Sequence, residues 1–351
     1  MDYRRILSGQ RDDPLAVCLR WTARGLSLPY AGAVRLRNLA YDRHWLKIHP
    51  LPLPVISVGN LTVGGTGKTP CVAWLARFYR DQGLRVAIVS RGYGAEVGAV
   101  NDEARELEAL LPDVPHVQDA DRFAAAQIAM EELAAQVIVL DDGFQHRRLA
   151  RTLDLVLVDA TCPWGYSWCL PGGLLREPLG GLRRAQAVLL TRCDHASPDA
   201  LESIRQKVKQ LSPSAILAES THRPQQWRSS DDQTRPLDEL RGRRVLAVAA
   251  IGHPEPFFAS LERLDMQLAD KLIWPDHHHF QRDDVQRIAA RAQQTDVDAI
   301  VCTHKDLVKL AVPRLGGRPV WALQIGLEIY SGREPLCERL TEAVRDAPRD
   351  G

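Results

Sequence analysis

The chain has 351 residues, which leaves room for two domains that each bury a core. Its formal net charge is +1 and its isoelectric point is near 7.7, so no basic excess attracts nucleic acid. Seven cysteines without a C-x-x-C pair indicate reduced thiols and a cytosolic protein rather than a disulfide framework. We find no secretory signal, no apolar run near the roughly 20 residues of a bilayer span, and no sign of a protein partner.

Residues 1–45 form a basic, amphipathic segment. Arginines alternate there with leucine, valine and tryptophan. This pattern is typical of a helix that lies in a membrane interface. An amphipathic helix packed against the protein's own core has the same pattern, so from this segment alone both interpretations remain open.

Residues 55–70, VISVGNLTVGGTGKTP, predict a buried strand, a glycine-rich turn and the start of a helix. This order is typical of a phosphate-binding loop, in which Lys68 reaches the β- and γ-phosphates and the Thr69 hydroxyl ligates Mg²⁺. The strict motif has glycine where this chain has Thr62, and a plain glycine turn before a helix is the alternative. The residues predicted to bind nucleotide are Thr62, Val63, Gly64, Gly65, Thr66, Gly67, Lys68 and Thr69.

The rest of the chain predicts an α/β fold, a P-loop NTPase-like parallel sheet flanked by helices with a second, smaller α/β domain. Apolar runs at 85–90, 136–140, 153–159 and 187–191 suit strands covered on both faces, and helical stretches alternate with them. Polar, proline-containing sequence begins near residue 215 and marks a boundary. We therefore predict a membrane-interface segment (1–45), a P-loop domain (46–225), a smaller α/β domain (226–330) and a C-terminal tail (331–351), of which roughly the last twelve residues are charged and frayed.

Asp141 and Asp142 follow an apolar strand within QVIVLDDGFQHRRL. The carboxyl ends of strands in an open parallel sheet face the ligand, and an acid at that point holds Mg²⁺ opposite a P-loop. A strand-end aspartate that caps the next turn is the alternative for either residue. That alternative does not explain both together.

Three further segments carry polar residues at predicted turns. Arg91 and Tyr93 lie in SRGYG, Asp102 and Glu103 begin a predicted helix, and Arg176 ends LPGGLLREP, where it can reach a phosphate. Each segment also has a purely structural interpretation, as a strand–helix turn, a helix cap and a connection respectively.

The second predicted domain contains three noteworthy histidine or threonine motifs. His253 follows a strand, where it either faces a crevice or caps the next helix. DHHHF (276–280) has the composition of a metal site, but three adjacent histidines cannot all reach one ion, so we predict no zinc. THKD (303–306), like TRCD (191–194), resembles the base-reading N/T-K-x-D of GTPases; TRCD lacks the lysine and THKD lies in the wrong domain.

With VGNLTVGGTGKTP, SRGYG, the Asp102–Glu103 pair, LDDGFQHRRL, LPGGLLREP, GHPEPFF and THKD in this order, the chain resembles the tetraacyldisaccharide 4′-kinases of Gram-negative bacteria, from about Arg20 to Ile329. The resemblance implies two α/β domains joined by a two-stranded linker, which 215–226 and 320–329 fit. It implies transfer of the γ-phosphoryl of ATP, with Mg²⁺, to the 4′-hydroxyl of a lipid disaccharide 1-phosphate in lipid A biosynthesis. It also implies a membrane-binding N-terminal helix and a peripheral or monotopic protein at the cytoplasmic face of the inner membrane.

The resemblance also implies roles by position. Asp102 and His253 would pair to take the proton from the attacking hydroxyl, while Lys68, Asp142 and Arg176 would act on the transferring phosphate. Thr69, Asp141 and Asp142 would hold the metal. The positions implied to contact substrate are Arg91, Tyr93, Glu103, Arg122, Gln145 and His146. Because His253 comes from the second domain, the resemblance further implies domain closure that excludes water.

Two positions depart from the family pattern. At residues 101–104 the family has G-D-E-P and this chain has N-D-E-A. The acid pair Asp102–Glu103 is present, but how the turn orients it is left open. The family favours arginine where Pro256 stands, so one basic contact is absent or supplied elsewhere. The main alternative function is a P-loop partitioning or maturation ATPase that acts as a switch, although its loop carries a signature lysine where this chain has Val63. A GTPase and a silent membrane-surface adaptor are weaker alternatives.

Overall fold

The computed structural model describes residues 3–92, 102–252, 254–275 and 278–346. The chain divides into two compact units. The first unit contains Met1–Gly92, Asp113–Thr221 and Leu327–Gly351, and the second unit contains Tyr93–Pro112 and His222–Gly326.

The elements are numbered in chain order. The helices are α1 (Tyr3–Leu7), α2 (Pro14–Asp42), α3 (Lys68–Arg80), α4 (Asp102–Leu110), α5 (Arg122–Glu131), α6 (Pro198–Leu211), α7 (Glu255–Arg263), α8 (Arg282–Gln294), α9 (His304–Leu310) and α10 (Arg333–Arg345). The strands are β1 (Val55–Asn60), β2 (Val86–Ser90), β3 (His116–Gln118), β4 (Val137–Asp141), β5 (Leu153–Asp159), β6 (Ala187–Thr191), β7 (Ile216–Arg228), β8 (Thr234–Arg235), β9 (Arg244–Ala249), β10 (Gln267–Ile273), β11 (Ala299–Thr303), β12 (Arg314–Leu315) and β13 (Arg318–Ser331).

The first unit is built on a parallel sheet with strand order β7–β6–β5–β1–β4–β2–β3. Its central strands are rich in valine, isoleucine and leucine, and every residue of β1, β2, β4, β5 and β6 is buried. Such runs suit strands covered on both faces. β1 and β4 pair in register, Val58 opposite Asp141, so their carboxyl ends meet at one edge of the sheet. The predicted α/β fold class is confirmed.

The second unit contains a smaller parallel sheet with strand order β10–β9–β11–β13. β12 pairs antiparallel with β13 across Gly316 and Gly317, whose φ angles of +57° and +80° favour glycine. One face of the sheet buries a cluster that includes Leu246, Ile288, Ile300 and Val320. α4 packs against α9 within the same unit.

Two long strands carry the chain between the units. β7 contains the boundary between Thr221 and His222, and β13 contains the boundary between Gly326 and Leu327. These are the strands in which the family resemblance implies a two-stranded linker.

Most of the N-terminal segment forms one long helix, α2, which follows the short helix α1. Asp13 caps α2 by accepting a hydrogen bond from the Ala16 N–H at 3.3 Å, and Pro14 stands at its first position, where a missing N–H costs nothing. In the part of the chain that the structure describes, every helix is too short or too polar to cross a membrane.

The structure differs from the sequence-based expectation at the C-terminus. Residues 331–351 are predicted to be a tail, but Arg333–Arg345 form α10. Leu336, Leu340, Ala343 and Val344 are buried along one side of this helix, and the Tyr79 hydroxyl donates to the Leu340 carbonyl at 3.0 Å. The apolar stripe is masked by the charged residues between these positions, which dominate the composition.

Candidate functional site

The loop that follows β1 is held by a second loop, residues 170–178. The Val63 N–H donates to the Leu174 carbonyl at 2.8 Å, and the Arg176 N–H donates to the Leu61 carbonyl at 2.7 Å. Gly64 and Gly67 have φ angles of +117° and +86°, which side chains rarely adopt. The two loops therefore form one paired structure at the carboxyl end of β1.

The start of α3 is suited to an anion. Gly67 is its N-cap in the left-handed conformation, Lys68 is its first residue, and its first turn contains no acidic residue. The first N–H groups of a helix have no partner within the helix, and the helix dipole places partial positive charge there. A phosphate at this point would therefore meet backbone donors as well as the lysine.

Asp142 lies among cations at the end of β4. Nη1 of Arg176 donates to both of its carboxylate oxygens, at 2.8 and 2.6 Å, and Nζ of Lys68 lies 3.7 Å from Oδ1. Burial raises the pKa of Asp142, but Lys68 and Arg176 outweigh it and hold the pKa below the ordinary value of 3.8. The structure thus brings together Lys68, Asp142 and Arg176, with the aspartate ionised at neutral pH.

Arg122 and His146 extend this group. Arg122 begins α5, where Nη2 lies 3.5 Å from the Asp142 carbonyl oxygen and Nη1 lies 3.3 Å from Nδ1 of His146. Burial, followed by the nearby arginine charges, lowers the pKa of His146 to about 4, so the ring is neutral at pH 7. Because Nδ1 faces an arginine donor, it accepts and Nε2 carries the hydrogen. That Nε2 is buried without a hydrogen-bond partner among the described residues.

Gln145 is held by a buried carboxylate. Its Nε2 donates to the Asn60 carbonyl at 2.9 Å and to Oε1 of Glu177 at 3.0 Å. Glu177 has no exposed surface and also accepts from Asn38 of α2 and from Arg184, each at 2.9 Å.

The sequence analysis does not single out Glu177, Asn38 or Asn60. Glu177 directly follows Arg176, but nothing in the sequence shows that this glutamate points inward. Asn38 comes from a helix 139 positions earlier, and its part in this network depends on tertiary packing.

The three residues predicted to hold a metal carry oxygen donors at two neighbouring element ends. Thr69 lies in the first turn of α3, Asp141 is the last residue of β4, and Asp142 follows it. Mg²⁺ prefers such oxygen ligands and is usually held by one or two carboxylates together with substrate phosphates. The donor set therefore fits Mg²⁺.

Several predicted residues lie outside the described part of the chain. Arg91 lies within the described residues. It is exposed directly after β2, and its positive charge helps to lower the pKa of Arg122. Tyr93, Asn101 and His253 lie outside the described residues, as do the side chains of Asp102 and Glu103. α4 nevertheless begins at Asp102, and Ala104, one of the departures from the family pattern, is buried in its first turn.

Thr303 and Asp306, the outer residues of THKD, hydrogen-bond to each other. The Thr303 hydroxyl caps α9 by accepting from the Asp306 N–H at 3.2 Å, and it donates to Oδ2 of Asp306 at 2.6 Å. The same Oδ2 accepts from the Ala250 N–H at 3.1 Å. Burial raises the pKa of Asp306, although these hydrogen bonds oppose the shift.

The TRCD motif also makes local contacts. The Thr191 hydroxyl donates to the carbonyl of Thr66 in the phosphate-binding loop at 2.9 Å. Arg192 contacts Asp159 at a nitrogen–oxygen distance of 2.5 Å. TRCD therefore supports the loop of its own unit.

The described part of the DHHHF segment contacts the first turn of α8. Asp276 and His277 lie outside the described residues, while Nε2 of His278 lies 2.8 Å from Oδ2 of Asp284 at the start of α8. Within the ranges that the structure describes, no group of three histidine, cysteine or acidic side chains is arranged to hold a metal ion.

α2 has one anchored side and one exposed side. On the anchored side, the Tyr30 hydroxyl donates to the Arg176 carbonyl at 2.9 Å and Ser27 accepts from the Gly172 N–H at 2.8 Å. The opposite side carries apolar residues at helical spacing, and we call it the α2 apolar face. It consists of Trp21, Leu28, Leu36 and Leu39, of which the first three are 63%, 65% and 63% exposed.

Comparison with known proteins gives one consistent result. A family model described as Tetraacyldisaccharide-1-P 4′-kinase matches residues 19–345. A tetraacyldisaccharide 4′-kinase of Geobacter metallireducens is 40% identical over 310 residues, covering 83% of this chain and 89% of the relative. One of Anaeromyxobacter sp. (strain K) is 36% identical over 340 residues, covering 92% and 90%. A crystal structure described as the "apo" form of LpxK from Aquifex aeolicus in complex with ATP has a TM-score of 0.73 at 30% identity and covers 93% of this chain and 99% of that chain.

Proposed function

The chain belongs to the tetraacyldisaccharide-1-P 4′-kinase family, and we propose that it transfers the γ-phosphoryl group of ATP to the 4′-hydroxyl of tetraacyldisaccharide 1-phosphate, which gives lipid IVA in lipid A biosynthesis. The observation that carries this proposal is the group formed by Lys68, Asp142 and Arg176 beside the start of α3. Such a group suits a reaction in which negative charge on phosphate must be bound and stabilised.

The chain's own residues divide this work between them. The N–H groups at the start of α3 and Lys68 bind the β- and γ-phosphates, as in other P-loops. Arg176 neutralises Asp142 before nucleotide binds, and it can turn to the transferring phosphate when ATP arrives. His146, neutral and with a buried Nε2–H, offers a hydrogen-bond donor, and Arg122 fixes its tautomer.

Thr69, Asp141 and Asp142 are the residues that would hold Mg²⁺. When bound, Mg²⁺ neutralises charge on the β- and γ-phosphate oxygens during transfer. Asp142 already has two cationic neighbours, so its affinity for the metal depends on how far Arg176 releases it. A fall in Mg²⁺ affinity in Asp141→Asn, measured by metal-dependent change in nucleotide binding, tests this assignment.

Asp102 and His253 are proposed to remove the proton from the attacking sugar hydroxyl. A hydroxyl is a poor nucleophile, and a positioned acid–histidine pair typically contributes about 10²–10⁴-fold to the rate. His253→Gln and Asp102→Asn should therefore lower kcat by about 100-fold or more and leave the KM for ATP nearly unchanged. A rise in KM at constant kcat would contradict proton transfer by these residues.

The experiment that tests the function determines which hydroxyl of the lipid receives the phosphate. The wild-type protein, Mg²⁺, γ-labelled ATP and tetraacyldisaccharide 1-phosphate in detergent micelles should give a labelled bisphosphorylated lipid. The same lipid with its 4′-hydroxyl methylated should give none. Label on the methylated lipid would place the phosphate elsewhere, and ATP hydrolysis without labelled lipid would favour the switch ATPase instead.

We also propose that the α2 apolar face docks the protein on the inner membrane, from its cytoplasmic side. The face is apolar and exposed, arginines lie along the same helix, and the other side of the helix is hydrogen-bonded to the 170–178 loop. Apolar side chains that enter the headgroup region, together with basic residues near anionic lipid, produce such binding.

Substitution on this face tests membrane docking without removing the helix. Trp21→Ser with Leu28→Ser should weaken binding to vesicles of anionic phospholipid, measured by sedimentation, by about 100-fold or more, since each buried apolar side chain contributes about 1.5–3 kcal/mol. The matched control is Ile273→Ser, an exposed apolar residue of the second unit. Equal sedimentation of both variants and wild type would contradict the proposal.

A further inference from the structure

The THKD segment has contacts that the proposed reaction does not use. We propose that Thr303, His304 and Asp306, here called the α9 bracket, position the two segments that carry Asp102 and His253. This inference rests on the proposed role of those two residues in proton transfer. It assigns the bracket no contact with substrate: these are positioning residues.

The first arm of the bracket holds the end of β9. Oδ2 of Asp306 accepts from the N–H of Ala250, the residue after β9, and from the Thr303 hydroxyl. Asp306 and Ala250 have no exposed surface, so these bonds are shielded from competing water. The chain reaches His253 three positions after Ala250, and this buried bond fixes the point from which the segment departs.

The second arm contacts α4, whose first residue is Asp102. α9 packs against α4, and Nδ1 of the buried His304 lies 3.8 Å from Oε1 of Glu106, close to that carboxylate but beyond hydrogen-bond distance. Ala104 and Leu107 of α4 are also buried. Glu106 stands one helical turn after Asp102, so packing of α9 against α4 at Glu106 limits rotation of the helix about its axis.

Both arms start within four residues, at the junction of β11 and α9. Thr303 ends β11, and His304 and Asp306 lie in the first turn of α9. Because Thr303 caps α9 and also bonds the Asp306 carboxylate, its hydroxyl fixes the conformation from which both arms project. Misplacement of a reacting group by about 1 Å can lower the rate about 100-fold. An element that fixes the positions of the segments carrying Asp102 and His253 therefore affects kcat.

Thr303→Val tests the bracket, since it keeps the shape of the side chain and removes both hydroxyl bonds. We expect kcat for lipid phosphorylation to fall by about 10-fold while the Kd for ATP stays within about twofold, since nucleotide binds to the first unit. Thr303→Ser keeps the hydroxyl and should restore most of kcat. Thr295→Val, which removes a hydroxyl bond at the end of α8 in the same unit, is the matched control and should resemble wild type.

A double-mutant cycle distinguishes positioning from general loss of structure. If the bracket acts through His253, Thr303→Val should cause little further loss in a His253→Gln background. The same 10-fold loss in both backgrounds would overturn the bracket, and so would unchanged kcat in Thr303→Val. If His253→Gln alone keeps full activity, the proton-transfer role fails instead, and the bracket falls with it.

A second variant addresses failure to fold. Asp306→Asn keeps an oxygen acceptor for the Ala250 N–H and the Thr303 hydroxyl, whereas Asp306→Ala removes it. The bracket predicts that Asp306→Asn retains kcat within about threefold and that Asp306→Ala loses about 10-fold or more per correctly folded molecule, counted by ATP binding. Equal kcat values in the two variants would overturn it.

Discussion

Asp142 and Asp306 each lie just beyond a parallel strand, yet their surroundings are opposite. Asp142 follows β4 in the first unit and contacts Lys68 and Arg176, which hold its pKa below the ordinary value despite burial. Asp306 follows β11 in the second unit, is fully buried, and is held by a backbone N–H and a hydroxyl. Burial raises its pKa.

The difference shows that a strand-end aspartate has no fixed role. With cations around it, the carboxylate stays charged and belongs to a site that binds phosphate and metal. Where burial outweighs the charges of nearby lysines and the hydrogen-bond donors are a backbone N–H and a hydroxyl, the carboxylate acts as an acceptor that fixes the backbone, and keeping it charged costs free energy. THKD resembles a base-reading motif in sequence, but its hydrogen bonds are those of a structural cap.

The largest effect is expected from removal of a charge beside Asp142. Lys68→Ala removes a cation from both the phosphate site and Asp142, so kcat for phosphoryl transfer should fall by about 10³-fold or more. Transfer of label from γ-labelled ATP to lipid measures it. Lys209→Ala, on the exposed side of α6, serves as control. Residual activity above a tenth of wild type would remove Lys68 from the mechanism.

A smaller effect is expected at Arg176. Arg176→Ala removes the guanidinium that donates to both carboxylate oxygens of Asp142, so the pKa of Asp142 should rise and kcat should fall by about 30-fold. Since a raised pKa means that the carboxylate protonates at higher pH, the acid limb of the pH–rate profile should move upward. Arg176→Lys keeps the charge and should keep the limb near its original place. If the acid limb of the pH–rate profile stays in place in Arg176→Ala, ionisation of Asp142 does not determine that limb.

The smallest effect concerns stability at Asp306. Its native pKa is raised above 3.8, so the native state binds the proton more tightly than the unfolded state. Stability is therefore lost as pH rises from about 3.8 through the native pKa, and Asp306→Asn should avoid this loss. Relative to wild type, the stability of the variant should rise as the pH increases from below 3.8 to neutral. Urea unfolding followed across that range would contradict the account if the difference between variant and wild type stayed constant.

How far the sequence predicts this molecule depends on how local the signal is. The phosphate-binding loop, the strands of the first unit and Asp141–Asp142 are short runs whose pattern alone implies their place at a sheet edge. Glu177 and Asn38 could not be found in this way, because their contact depends on α2 packing beside the 170–178 loop. The role of Asp306 was also hidden, since the motif that contains it resembles another function. α10 was missed because charges outnumber its buried stripe.

One measurement tests the central claim most directly: kcat for γ-phosphoryl transfer to the lipid by Asp142→Asn and Asp306→Asn under identical conditions. The chemical change is the same at both strand ends, and ATP binding counts the folded molecules in each sample. The account predicts a loss of about 100-fold or more for Asp142→Asn, where the charge is needed, and a change within about threefold for Asp306→Asn, where an acceptor suffices. Similar losses in the two variants, or a larger loss at Asp306, would contradict it.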